Sequence, residues 1–199
     1  IKQNSSEGWL TDNDYNYEQK VIDLEEWRGK FCLAAVDLAE STDLCNCKLL
    51  FMREGDPKKY VYSHYWIPES KLKESDDKAA GAEYVEWAKQ GILTITDGTM
   101  IDTTAIADWL YQLKDRYGIK VFVCGYDVRF SVEFIKRMTE YGIQTELVQQ
   151  TAGVMSTPMK WVEADFKKQL IVYGDNAVDK WCFGNACMQM DNLGREMCV

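Results

Sequence analysis

The chain has 199 residues, 46% of them hydrophobic and 13% aromatic, enough for one sizeable core in one compact domain and too apolar for a disordered segment. Its net charge of −9 argues against a free-standing nucleic-acid binder, whose affinity comes from Lys and Arg, but not against an enzyme whose site is itself a cluster of acids. No apolar run approaches the roughly 20 residues that span a bilayer, and no leader opens the chain, which starts at Ile1 and reads as a piece of a longer protein.

Residues 1–28 are polar and aromatic without a sustained period, and read as a linker ending in a short helix, Tyr17 to Trp27, on the domain edge. Three strand-like runs follow at 31–37, 48–53 and 59–67, with Glu54-Gly55-Asp56-Pro57 as a hairpin signal, which predicts an antiparallel meander. Residues 69–78 form a charged loop. A short helix over 82–90 stops at Gly91, and a short strand occupies 92–96. Asp102 and Thr103 start a helix with Ile106, Leu110, Leu113 and Tyr117 on one face and Gly118 at its end. It leads into a strand from Ile119 to Cys124, followed at once by Gly125-Tyr126-Asp127. Helices over 131–141, from Thr157-Pro158 to Leu170, and over 175–185 alternate with strands at 143–148 and 171–173.

A meander followed by alternating helix and strand predicts an α/β domain with a mixed sheet flanked by helices. The run Phe31 to Val36 looks buried on both faces and delivers Asp37 near its C-terminal end, the end at which open sheets gather ligands. The strand before Asp127 has the same form, so the two acids can meet side by side. Paired carboxylates repel unless a cation lies between them, and oxygen ligands suit Mg²⁺ or Mn²⁺. Seven irregularly spaced cysteines point to a reducing compartment and, with one histidine, His64, away from zinc. His64 reads as a residue of the third strand rather than a general base. Arg129, Lys160, Lys167 and Lys168 are candidate phosphate contacts, although each lysine taken singly reads more simply as part of a solvated helix face.

The order of Val36-Asp37-Leu38-Ala-Glu-Ser-Thr-Asp43-Leu44, Tyr65-Trp66-Ile67-Pro68, Gly98-Thr-Met-Ile-Asp102, Gly125-Tyr126-Asp127 and Asp179-Lys-Trp181 to Gly184-Asn185 resembles the nuclease domain of large terminase subunits, the DNA-packaging motors of tailed bacteriophages. The resemblance covers roughly residues 20 to 195. It implies an RNase H-like fold and a two-metal endonuclease that cuts concatemeric viral DNA, with Asp37 and Asp127 as catalytic metal ligands and Asp43 as a supporting acid. It further implies double-stranded DNA, the portal and the small terminase subunit as partners, no membrane, and work in the cytoplasm of the infected bacterial host. Residues 1–28 would then be a linker or the tail of an upstream ATPase domain, and 29–199 the nuclease domain, truncated at its C-terminus. No phosphate-loop motif occurs in the chain, and the family's third acid, on a late helix, is expected beyond Val199, with Asp179 and Asp191 as substitutes within it. Whether these 199 residues cut DNA alone is left open. Two other readings stay open: another RNase H-like nuclease, resolvase or integrase-like, and a non-catalytic docking domain of the motor.

Overall fold

The computed structural model describes residues 8–39, 44–73 and 81–198. Strands β1 (Phe31–Asp37), β2 (Cys45–Phe51) and β3 (Lys59–Pro68) form the antiparallel meander. It is extended by parallel strands β4 (Leu93–Thr96), β5 (Lys120–Tyr126), β6 (Thr145–Leu147) and β7 (Ile171–Val172). The order across the sheet is β4-β3-β2-β1-β5-β6, with β7 beside the start of β3, so β1 is central and lies between an antiparallel and a parallel neighbour. A hairpin of β8 (Met188–Met190) and β9 (Glu196–Cys198) lies apart from it.

One face of the sheet carries the main core. Alternate residues Cys32, Ala34 and Val36 of β1 and Cys47, Leu49 and Phe51 of β2 are buried under α3 (Thr103–Tyr117) and α4 (Val132–Glu140). Helix α3 forms where the sequence placed it, because Asp102 caps its Thr104 amide at 2.9 Å and Ile106, Leu110 and Leu113 share its apolar face. It ends at Gly118, whose φ of +66° a side chain would strain. The opposite face meets α5 (Ala152–Lys167) and α6 (Ala177–Asn185), while α2 (Tyr84–Lys89) packs with β4 in a smaller cluster around Tyr65 and Ile67.

Four local expectations are revised. The run before Asp37 is buried on one face only: Phe31, Leu33 and Ala35 are exposed, because the layer above them stands off across a cavity instead of packing down. Residues 17–27 form no continuous helix; α1 is Asp12–Tyr15, and a 3₁₀ turn spans Leu24–Trp27. This segment is firmly packed, with Leu10 and Tyr15 in a cluster with Phe166, Ile171 and Tyr173, and with the Tyr173 hydroxyl donating to the Tyr15 carbonyl at 2.5 Å. Strand β2 begins three residues before the expected start, so Cys45 and Cys47 are core positions of a strand. Helix α5 begins at Ala152, and Pro158 lies inside it rather than at its first position. The missing proline N–H removes one bond to the carbonyl of Val154, an amount that burial of Met159 and Phe166 on the same helix offsets. Among the described residues no helix is long and apolar enough to cross a membrane.

Candidate metal centre

Strand alternation puts Asp37 on the same open face as Phe31, Leu33 and Ala35, away from the buried Val36. Its neighbour on β2 is Asn46. On the other side β1 runs parallel to β5, and the register ends with Ala35 opposite Gly125 and Val36 opposite Tyr126. Continued by one step, the register would set Asp37 level with Asp127, the first residue past β5. This alignment depends on one irregularity: Cys32 pairs with Val121 but Leu33 with Val123, so β5 carries an extra residue, Phe122. Without that bulge Asp127 would stand level with Leu38, which belongs to the buried face.

The Asp127 carboxylate is fixed locally, accepting a hydrogen bond from the Val128 amide at 2.7 Å. Gly125 lets strand β6 close in beside this end of β5, since a Cβ there would meet a methyl of Val148 at 3.2 Å. Asp37 and Asp127 are hard oxygen donors at the open carboxyl ends of paired strands, a chemistry that fits Mg²⁺ or Mn²⁺ and not the softer metals that thiolates select. Among the described residues no group of three or more His, Cys, Asp or Glu is placed to hold a metal. Glu40 and Asp43 lie outside the described residues.

Each of the two substitute acids is engaged by neighbouring groups of the chain. Asp191 closes the β8–β9 turn, taking the Leu193 and Arg195 amides at 2.9 Å each and pairing with the Arg195 guanidinium. Asp179 is only 1% exposed, and Lys48 of β2 forms a salt bridge with it. The Tyr65 hydroxyl donates to the same carboxylate oxygen at 2.5 Å. Burial, reinforced by Asp179, holds the Tyr65 hydroxyl well above its ordinary pKa, so it stays a donor. Sequence reasoning missed this group. Its one signal was a lysine, Lys48, followed directly by the apolar run Leu49 to Met52.

Lys48 and Asp179 border a cavity of about 640 Å³ between the sheet and helices α5 and α6. Its floor includes Ala35 and Gly125, the residues two places before the two acids, so the cavity runs along the sheet face toward them. Phe166 and Phe183 line its far wall. His64 lies on the opposite face, stacked on Trp109 at 5.3 Å and bonded through Nε2 to the Thr94 hydroxyl at 2.8 Å. It is a strand residue of the core. Of the candidate phosphate contacts, Arg129, Lys160 and Lys168 are exposed, and Lys167 pairs with Glu163 on its own helix.

A mixed sheet with helices on both faces, in which the central strand and its parallel neighbour end level at two acids, defines the class of RNase H-like nuclease folds. Residues 1–196 match the family described as terminase large subunit, endonuclease domain, and the chain belongs to that family. It is 27% identical over 175 residues to Protein YmfN of Escherichia coli K12, an alignment covering 84% of this chain and 38% of that protein. The fold is similar to the large terminase of bacteriophage HK97, with a TM-score of 0.75 at 18% identity over 96% of this chain and 39% of the other. It is also similar to the large terminase nuclease of thermophilic phage G20c with bound magnesium, with a TM-score of 0.58 at 9% identity over 98% of this chain and 88% of the other. The chain thus spans well under half the length of YmfN and of the HK97 protein.

Proposed function

We propose that this chain is the metal-dependent endonuclease part of a phage large terminase subunit, and that it cuts concatemeric double-stranded viral DNA during genome packaging. The observation that supports this reading is the parallel pairing of β1 with β5, whose register ends with Val36 opposite Tyr126, one residue before each acid. Family membership and the magnesium bound by the G20c nuclease support it. Asp37 and Asp127 would hold the Mg²⁺ or Mn²⁺ ions, with Asp43 as the supporting acid. When bound, the ions supply a water activated for in-line attack and offset the charge on the departing 3′ oxygen. The chain's own part is positioning. The sheet fixes both carboxylates, the Val128 amide holds Asp127 in one orientation, and Arg129 beside it meets a phosphate of the substrate. No side-chain nucleophile is needed, consistent with a buried His64 and buried core thiols. An upstream ATPase domain of the same polypeptide, the portal and the small terminase subunit are its partners, in the cytoplasm of the infected host.

Asp37→Ala tests the assignment. Losing a residue that supports a metal ligand costs about 10–100-fold, so losing the ligand itself should reduce Mn²⁺-dependent plasmid cleavage by the full-length protein by more than roughly 100-fold. Circular dichroism and the unfolding midpoint should hardly move, because Asp37 is on the exposed side of β1. Undiminished cutting by this variant would refute the reading.

A further inference from the structure

The turn that follows Asp127 and the first residue of α4 display apolar side chains. Val128 is 65% exposed, Phe130 48% and Val132 74%. Isolated exposed apolar residues are ordinary, but Phe130 also has a φ of +56°, a left-handed conformation that a bulky residue seldom adopts. Such strain persists only where the surroundings impose it, and here they do. The Val128 amide is tied to the Asp127 carboxylate at 2.7 Å. The hydroxyl of buried Ser131 donates to the Val128 carbonyl at 2.9 Å, and the Ser131 carbonyl accepts from the Ile135 amide at 2.8 Å. Behind the turn, Phe134 and Met138 of α4 are fully buried. The turn is therefore braced on both sides of Phe130, whose side chain is left half exposed.

With the acids read as above, a scissile phosphate lies at Asp37 and Asp127. Phe130 is three residues from Asp127, so its Cα is at most about 11 Å away, no more than roughly three base-pair steps along the duplex. We propose that Val128 to Val132 is a DNA wedge: Phe130 enters the base stack beside the scissile phosphate, Val128 and Val132 face the sugar edges, and Arg129 holds an adjacent phosphate. Apolar side chains inserted between base steps unstack and kink duplex DNA, and aromatic rings then replace part of the lost stacking. The substrate class this implies is a duplex that can be opened locally, and pyrimidine–purine steps, which deform most readily, should be preferred at the cut.

The proposal rests on the Asp37 and Asp127 reading, and the experiment separates the two. The full-length protein with Mn²⁺ is given a matched duplex and the same duplex with one mismatched pair, where the stack is already weakened. Phe130→Gly suits the backbone at this position and should fold at least as well as the wild type. It should slow cutting of the matched duplex by about ten- to hundredfold and that of the mismatched duplex far less. Phe130→Trp, which retains a stacking ring, should keep the wild-type ratio between the two substrates. In an Asp37→Asn background, 2-aminopurine placed near the bound site should brighten on binding, and should stay quenched when Phe130→Gly is added. Asp37→Asn by itself should cut neither duplex; cutting of both would sink the site assignment. Equal losses on both duplexes for Phe130→Gly, no loss on the matched one, or unchanged 2-aminopurine brightening would each overturn the wedge.

Discussion

Lys48→Met should destabilise the protein more than Asp179→Asn, although each breaks the same ion pair. Asp179 is 1% exposed while the Lys48 side chain is 36% exposed, so the two partners do not suffer equally when left alone. Without Lys48 the carboxylate keeps the Tyr65 hydroxyl but remains in an apolar wall, and its other oxygen has no partner among the described residues. An uncompensated buried charge costs about 3–5 kcal/mol. The N-terminus of α6, where Asn176 caps the Val178 and Asp179 amides, returns up to about 1–2 kcal/mol to a negative charge. A net loss of about 1–4 kcal/mol follows. In Asp179→Asn the amide still accepts from Tyr65, and Lys48 still has Ser63 at 3.1 Å and solvent, so the loss is about 1–2 kcal/mol. Replacing both, as Lys48→Met with Asp179→Leu, should cost less than Lys48→Met alone, since the cavity beside them is apolar. Urea unfolding followed by the fluorescence of the seven tryptophans gives the three values directly. An Asp179→Asn loss equal to or larger than that of Lys48→Met would show that the buried carboxylate is not the dominant cost.

Burial lowers the His64 pKa to about 4, so the folded protein holds this imidazole neutral while the unfolded chain protonates it from about pH 6.5 downward. Its contribution is complete above pH 6.5 and fades as pH falls toward 4, by about 3 kcal/mol in all, and His64→Gln should flatten that part of the stability profile; an unchanged slope would refute it. Burial also pushes the Cys32 and Cys124 thiols up to about 12 and the Cys47 thiol well above its ordinary value. These three should resist alkylation in native protein at pH 8 and react on unfolding, with peptide mass mapping as the readout; prompt native labelling of Cys32 would contradict the packing.

The sequence by itself determined the parts whose causes are local. The cap at Asp102 and the stop at Gly118 define α3, alternation defines β3 and places His64 on it, and Asp191 with Gly194 defines a turn. Two apolar runs ending in acids, with motifs in family order, carried the fold class. Only the tertiary structure decided what depends on distant neighbours. Hydrophobic runs do not reveal which face is covered, so β1 looked buried on both sides although one face borders a cavity. Local preference favoured Pro158 as a helix start, but burial of the same helix overrode it. The pairing of Lys48 with Asp179 joins residues 131 positions apart, and nothing local to either announces the other. The alignment of Asp37 with Asp127 hangs on one bulged residue in β5, because with a side-chain period of two a single-residue slip would set Asp127 level with the buried face of β1.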